Sequence, residues 1–165
     1  MKKYFFLFII AFNLFSSCNS SETTTYYLIR HAEKDRTDKT DRNPSLNYDG
    51  EKRAQKWASY FKDISLDAVY STNYNRTIQT ATPTAISKNL EIINYDPRNM
   101  YDSIFKQNTL GKTVLIVGHS NTTPAFANKI LATEKYKNMD DNDNSSLYII
   151  TLKDESKESR IEKVD

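Results

Sequence analysis

Apolar residues in this chain follow two rhythms in turn: short runs rich in β-branched and aromatic residues, and longer stretches spaced as on one helical face. Thr25 to Arg30 is a run of the first kind and predicts an opening strand. After Asp49-Gly50, residues Ala54, Trp57, Ala58 and Phe61 recur at i, i+3, i+4 and i+7, the stripe of an amphipathic helix. Ala68 to Ser71 predicts a short second strand, and Ile78, Ala81, Ala85 and Ile86 mark a second helical face. Pro83 lies inside that face. It has no amide proton and crowds the preceding turn, which predicts a kink or a late helix start. Leu90 to Asn94 is a weaker strand. Lys112 to Val117 is apolar on both faces, as a central parallel strand is. A helix follows, with Thr123 as its cap, Pro124 at its first position, and Phe126, Ala127, Ile130 and Leu131 inward. Ser146 to Leu152 predicts the last strand. Strands alternating with helices give an α/β fold, a three-layer α/β/α sandwich on a mainly parallel central sheet.

The segments between are polar. Lys34 to Pro44 is expected to loop over a site at the strand ends, and Tyr95 to Thr109 is read as loop. Lys135 to Ser145 superficially resembles a calcium loop through Asp141, Asp143 and Ser145, but Ser146 and Leu152 stand where its glycine and glutamate belong. A solvated turn is the expectation there, and a solvated charged tail over Lys153 to Asp165.

The amino terminus changes the domain limits. Met1-Lys2-Lys3 followed by the apolar stretch Tyr4 to Phe15 has the pattern of a secretory signal. A spanning helix needs roughly 20 apolar residues, and Asn13, Ser16, Ser17 and Asn19 interrupt or end this run. Cys18 is the sole cysteine, so no intrachain disulfide can form. With Leu14-Phe15-Ser16-Ser17 before it, the segment resembles a bacterial lipobox, which implies lipidation of Cys18 and a membrane anchor. The expected organisation is a signal peptide over 1–17, lipidated Cys18 and a tether over 18–24, one domain over 25–152, and the tail over 153–165. Cleavage before Cys18 removes 17 of 165 residues and leaves 148, enough for one core. Loss of Lys2 and Lys3 leaves 21 basic residues against 21 acidic ones, which gives no reason to expect a nucleic-acid partner.

Chemistry concentrates at strand ends. The chain has two histidines, and each follows an apolar strand directly: His31 after Tyr26 to Ile29, His119 after Val114 to Val117. In parallel α/β sheets, ligands bind outside the carboxyl ends of the strands. Arg30 adjoins the first histidine, and Arg76 follows another short strand at the head of a helix. A guanidinium grips two phosphate oxygens at once, and such charge-assisted bonds are worth roughly 1.5–3 kcal/mol each.

With these residues in view the chain resembles the histidine phosphatase superfamily, related to phosphoglycerate mutases. The first family motif stands as Leu28-Ile29-Arg30-His31-Ala32-Glu33-Lys34, the second as Tyr70-Ser71-Thr72-Asn73-Tyr74-Asn75-Arg76-Thr77-Ile78-Gln79-Thr80-Ala81, and the third as Val117-Gly118-His119-Ser120-Asn121. Pro44-Ser45-Leu46 to Ala54 looks like the weaker pattern that opens the first helix. The resemblance implies a phosphoglycerate mutase-like fold and a metal-independent phosphatase without cofactor. It implies that His31 attacks phosphorus to form a phosphohistidine, that Arg30, Arg76 and His119 bind phosphate, and that His119 also stabilises charge in the transition state. The general acid is expected in the stretch after the second motif, where Asp102 in Met100-Tyr101-Asp102 is favoured and Asp96 and Glu91 are the alternatives. The implied partner is a small phosphorylated substrate or a phosphoprotein, met by an exported, membrane-anchored lipoprotein facing the periplasm or the cell surface.

Three other functions compete. A serine-hydrolase elbow at Gly118-His119-Ser120-Asn121-Thr122 fails, because Thr122 replaces its second glycine and no histidine follows Ser120. A phosphate-ester-binding lipoprotein without catalysis would keep the same pocket. A mutase is disfavoured, since mutases of this family are usually longer and export would part the enzyme from glycolytic intermediates.

Overall fold

The computed structural model describes residues 22–165, so the expected signal segment over 1–17 and the expected lipidation site Cys18 lie outside the described residues. The chain runs β1 (Thr23–Arg30), α1 (Tyr48–Tyr60), β2 (Ala68–Ser71), α2 (Asn75–Lys88), β3 (Ile92–Asn94), α3 (Ser103–Thr109), β4 (Thr113–Gly118), α4 (Thr122–Leu131), β5 (Ser146–Lys153) and β6 (Ser156–Lys163). The strands form one sheet in the order β3-β2-β4-β1-β5-β6. β3, β2, β4 and β1 are mutually parallel, and β5 and β6 add antiparallel neighbours at one side.

Alternation along β4 builds both cores. Val114 and Ile116 point to one face, where Phe105 of α3 and Phe126, Ala127 and Ile130 of α4 cover them. Leu115 and Val117 point to the other, covered by Trp57 of α1 and Ala81 and Ala85 of α2. All four β4 side chains are buried, and full burial of such a residue contributes about 1.5–3 kcal/mol. The fold is therefore the expected α/β/α sandwich.

Several local expectations are corrected. The tail is not solvated coil: Ser156–Lys163 pairs with β5 along its whole length, through a hairpin whose Asp154 adopts a left-handed φ of 53°. Its charges suit an edge strand, where they block pairing with another chain. The segment read as loop over Tyr95 to Thr109 contains α3, capped by Asp102. Pro83 does not delay α2, which runs through it from Asn75 to Lys88. Ile86 is 74 % exposed rather than inward, because the buried face is Thr77, Thr80, Ala81, Thr84 and Ala85. Asn121 rather than Thr123 occupies the cap of α4, and Thr123 instead donates to the Ile29 carbonyl at 3.1 Å. Pro124 lies in the first turn, where its missing N–H has no intrahelical partner to lose. Among the described residues no helix is long and apolar enough to cross a membrane.

Candidate active site

β1 and β4 are neighbours in register, with Arg30 opposite Gly118, so the residues just past each strand end meet. The His31 amide donates to the Gly118 carbonyl at 2.9 Å, and the rings of His31 and His119 stand 5.5 Å apart. The peptide flanking His31 is pinned on two further sides. Ala32 N–H donates to Thr80 Oγ1 at 2.9 Å, and buried Asn144 donates from Nδ2 to the His31 carbonyl at 2.8 Å.

The partners assign the tautomers. His31 Nδ1 lies 2.7 Å from the Ala32 carbonyl, which can only accept, so Nδ1 carries the proton and Nε2 keeps its lone pair. Burial, reinforced by Arg30, Arg76 and His119, pushes the His31 pKa down to about 3, so the ring is neutral at neutral pH. His119 is set the opposite way. Arg76 Nη2, 3.4 Å away, can only donate to its Nδ1, which leaves the proton on Nε2 facing Thr72 Oγ1 at 2.9 Å. Thr72 Oγ1 in turn donates to Thr77 Oγ1 at 3.0 Å, and Thr77 donates to the Thr72 carbonyl at 2.8 Å. Burial, then Arg76 and Arg30, lowers the His119 pKa to about 4.

Arg30 is buried beneath the loop that follows α4. Its Nη1 donates to the carbonyls of Asp140 and Asp143 at 3.0 and 3.3 Å, and its Nη2 meets Asp141 Oδ1 at 3.3 Å. The expectation of a merely solvated turn over Lys135 to Ser145 is thus corrected: the loop braces the site, with Met139 and Asn144 buried. Arg76 lies over the face of Tyr74, 4.6 Å from the ring centre. Arg30 Nε, Arg76 Nε and Arg76 Nη1 are buried and have no acceptor. Unpaired buried donors on cations are expensive, and an anion satisfies them.

Arg30, His31, Arg76 and His119 line one cavity of about 470 Å³, and Thr122, the first residue of α4, adds the positive end of a helix dipole. Preorganised donors around a neutral imidazole with a free Nε2 suit nucleophilic attack on a phosphoryl group. Among the described residues, no three His, Cys, Asp or Glu side chains are grouped as a metal site requires.

Asp102 is not brought into this cavity. Its Oδ1 accepts from Phe105 N–H at 2.7 Å as the cap of α3, its Oδ2 accepts from Asn99 at 2.8 Å, and it lines a different depression. Asp96 sits in that same depression, where hydrogen bonds from Arg98 hold its carboxyl below the usual range, and Glu91 lines neither cavity at His31. Asp141, already on Arg30, lines the cavity of about 470 Å³, and Glu33 and Asp35 line a neighbouring one that also holds His31. Sequence reasoning also missed Thr72, Thr77, Thr80 and Asn144. The threonines lay inside a quoted motif, Thr77 and Thr80 on the buried face of α2 and Thr72 just past β2, whereas Asn144 gave no signal.

Residues 26–98, which include Arg30, His31 and Arg76, match the model of the histidine phosphatase superfamily (branch 1). Comparison with curated proteins gave no match. Among solved structures, a candidate phosphohistidine phosphatase SixA from Agrobacterium tumefaciens aligns with a TM-score of 0.62 at 21 % identity, covering 84 % of this chain and 97 % of that one. A mycobacterial glucosyl-3-phosphoglycerate phosphatase aligns with a TM-score of 0.63 at 12 % identity over 86 % and 98 %. A phosphoserine phosphatase mutant from Entamoeba histolytica aligns at 0.59 and 15 % over 79 % and 95 %. The chain therefore has the phosphoglycerate mutase-like fold of these phosphatases, and its segment from Tyr26 to Arg98 is similar to the histidine phosphatase superfamily.

Proposed function

We propose that this chain is a member of the histidine phosphatase superfamily and a metal-independent phosphatase working through a phosphohistidine on His31. The observation that carries this reading is the neutral His31 with its Nε2 lone pair beside the unsatisfied N–H groups of Arg30 and Arg76. Arg30 and Arg76 hold the phosphoryl oxygens, the Nε2–P bond forms, and the bond from phosphorus to the leaving group breaks as that group takes the electron pair. Water then adds its oxygen to phosphorus, Nε2 recovers its lone pair, and a water proton passes to solvent. Without substrate both ring nitrogens of His119 are engaged, Nδ1 by Arg76 and Nε2–H by Thr72, so His119 bonds a phosphoryl oxygen by turning its Nε2–H from Thr72 Oγ1 to the incoming phosphate.

The leaving group must be protonated or stable without a proton. Asp102, Asp96 and Glu91 stand away from both cavities at His31, and the carboxylates that line them are engaged, Asp141 by Arg30, Glu33 by Arg53 and Asp35 by the Thr37 amide. This favours substrates that leave readily: aryl phosphates in the laboratory, and phosphohistidine in proteins, whose imidazole departs as a stable base. The similarity to SixA structures agrees with that preference. The domain is tethered by lipid on Cys18 at the outer side of the cytoplasmic membrane, which fits the signal-like amino terminus.

The test is hydrolysis of 4-nitrophenyl phosphate by the soluble domain starting near Ser20. Turnover that disappears in His31→Ala supports the reading. A folded wild-type protein that binds phosphate but gives no turnover identifies a phosphate-ester-binding lipoprotein instead.

A further inference from the structure

The cations at this site exceed those that grip one phosphoryl group. Arg30 is buried at the end of β1 and Arg76 is half-buried in the first turn of α2, while Lys34 and Arg36 stand further out on the segment after β1. Both line the cavity of about 470 Å³ and also a neighbouring one of about 430 Å³, and the two cavities share Arg30, His31 and Asp141. Lys34 and Arg36 therefore occupy the wall where the cavities join, beside the nucleophile.

Neither cation is neutralised. Among the described residues no carboxylate lies within 4.0 Å of either. Nearby acids are engaged elsewhere: Asp141 with Arg30 at 3.3 Å, Glu33 with Arg53 at 2.7 Å, and Asp35 with the Thr37 amide at 2.8 Å. The segment is also held in place. Lys34 bridges to Leu46, Asp35 N–H donates to the Ser45 carbonyl at 2.8 Å, and Arg36 Nη2 reaches the Asp141 carbonyl at 3.4 Å. Arg98, the remaining cation of the first cavity, is paired with Asp96 at 2.9 Å and has no charge to spare. Two anchored, unpaired cations next to a phosphate site raise the local potential for a second anion. On an open surface they would be ordinary solvated side chains, but here they share a concave wall with His31.

We propose that Lys34 and Arg36 form a second anion subsite, so that the preferred substrate carries a carboxylate or a further phosphate on its leaving-group side. This rests on the phosphatase reading of the cavity and adds the substrate class to it.

Binding of two non-hydrolysable probes tests the subsite without relying on turnover. By calorimetry, 4-carboxyphenylphosphonate is expected to bind about tenfold tighter than phenylphosphonate, a difference of about 1.4 kcal/mol. In the double variant Lys34→Gln with Arg36→Gln that ratio should fall to about one, and in wild type it should shrink as salt rises. Equal affinities in wild type, or a ratio that survives the double substitution, overturns the proposal. Absence of binding by either probe overturns the subsite and the phosphate site together. Turnover of phenyl phosphate is read separately: a binding ratio without turnover keeps the subsite and removes the phosphatase reading.

Discussion

Arg76→Ala is the substitution that bears most directly on how phosphate is held. Its Nε and Nη1 have no protein acceptor, so both are free for phosphoryl oxygens, while Nη2 reaches His119 Nδ1 at 3.4 Å. Two charge-assisted bonds at about 1.5–3 kcal/mol each give roughly 3–6 kcal/mol. At 1.36 kcal/mol per decade, kcat/KM for 4-nitrophenyl phosphate should fall about 10²- to 10⁴-fold. Arg76→Lys restores a point charge without the fork and should lose about 10- to 100-fold. Thermal unfolding provides the control. Arg76 is lowered from its ordinary pKa mainly by burial, and its buried Nε and Nη1 without acceptors offset the long Nη2 bond to His119 and the contact with Tyr74, so alanine should change the melting temperature little. A folded Arg76→Ala protein within about fivefold of wild-type kcat/KM would refute the assignment.

Other outcomes follow from the same geometry. Asp102→Asn and Asp102→Ala should keep kcat/KM within about threefold, while Asp102→Ala loses about 1 kcal/mol in urea denaturation because α3 loses its cap; a hundredfold activity loss in both would return Asp102 to the site. Thr72→Val should cut kcat about tenfold by freeing the His119 ring, and Thr72→Ser should restore it, since only the hydroxyl is needed; equal activity of the two would contradict the relay. Stability should depend on pH between about 6.5 and 3, with the His119 share confined to the range above about 4. The folded pKa values are about 3 for His31 and about 4 for His119. Above pH 6.5 the stability is fully present. As pH falls through that window the unfolded chain takes up protons that the folded one refuses, costing up to about 1.4 kcal/mol per pH unit for each histidine. Urea titrations at pH 7.5 and 5.0 of wild type and His119→Asn should show a shallower slope in the variant, and identical slopes would exclude that origin.

His31 and His119 were legible because each directly follows a strand, Arg30 because it ends β1, and Arg76 because it opens the helix after β2; strand ends in a parallel sheet converge. Their actual meeting depends on β1 lying beside β4, a long-range pairing that no local run encodes. Asp102 shows the limit. A carboxylate before a short helix is an ordinary cap, but α3 has only seven residues, too few for a helical stripe to stand out, and the same residue therefore read as a loop acid. β6 was invisible for a related reason: an edge strand of charged residues resembles a solvated tail, and its hairpin turns on Asp154-Glu155 without a glycine. Two of the three contacts that brace Arg30 are the Asp140 and Asp143 carbonyls, which any residue supplies, so the sequence carried no trace of them beside the Asp141 carboxylate. Asn144 was hidden likewise, since its single bond to the His31 carbonyl spans 113 positions.

The central claim is a covalent phosphoryl group on His31 Nε2. The soluble domain, mixed with labelled aryl phosphate and quenched within milliseconds in alkaline denaturant, should retain label that alkali preserves and mild acid releases. Peptide mapping should place it on His31, and His31→Ala should retain none. Turnover at the wild-type rate by His31→Ala, or label mapping to His119 or to a carboxylate, would contradict the account.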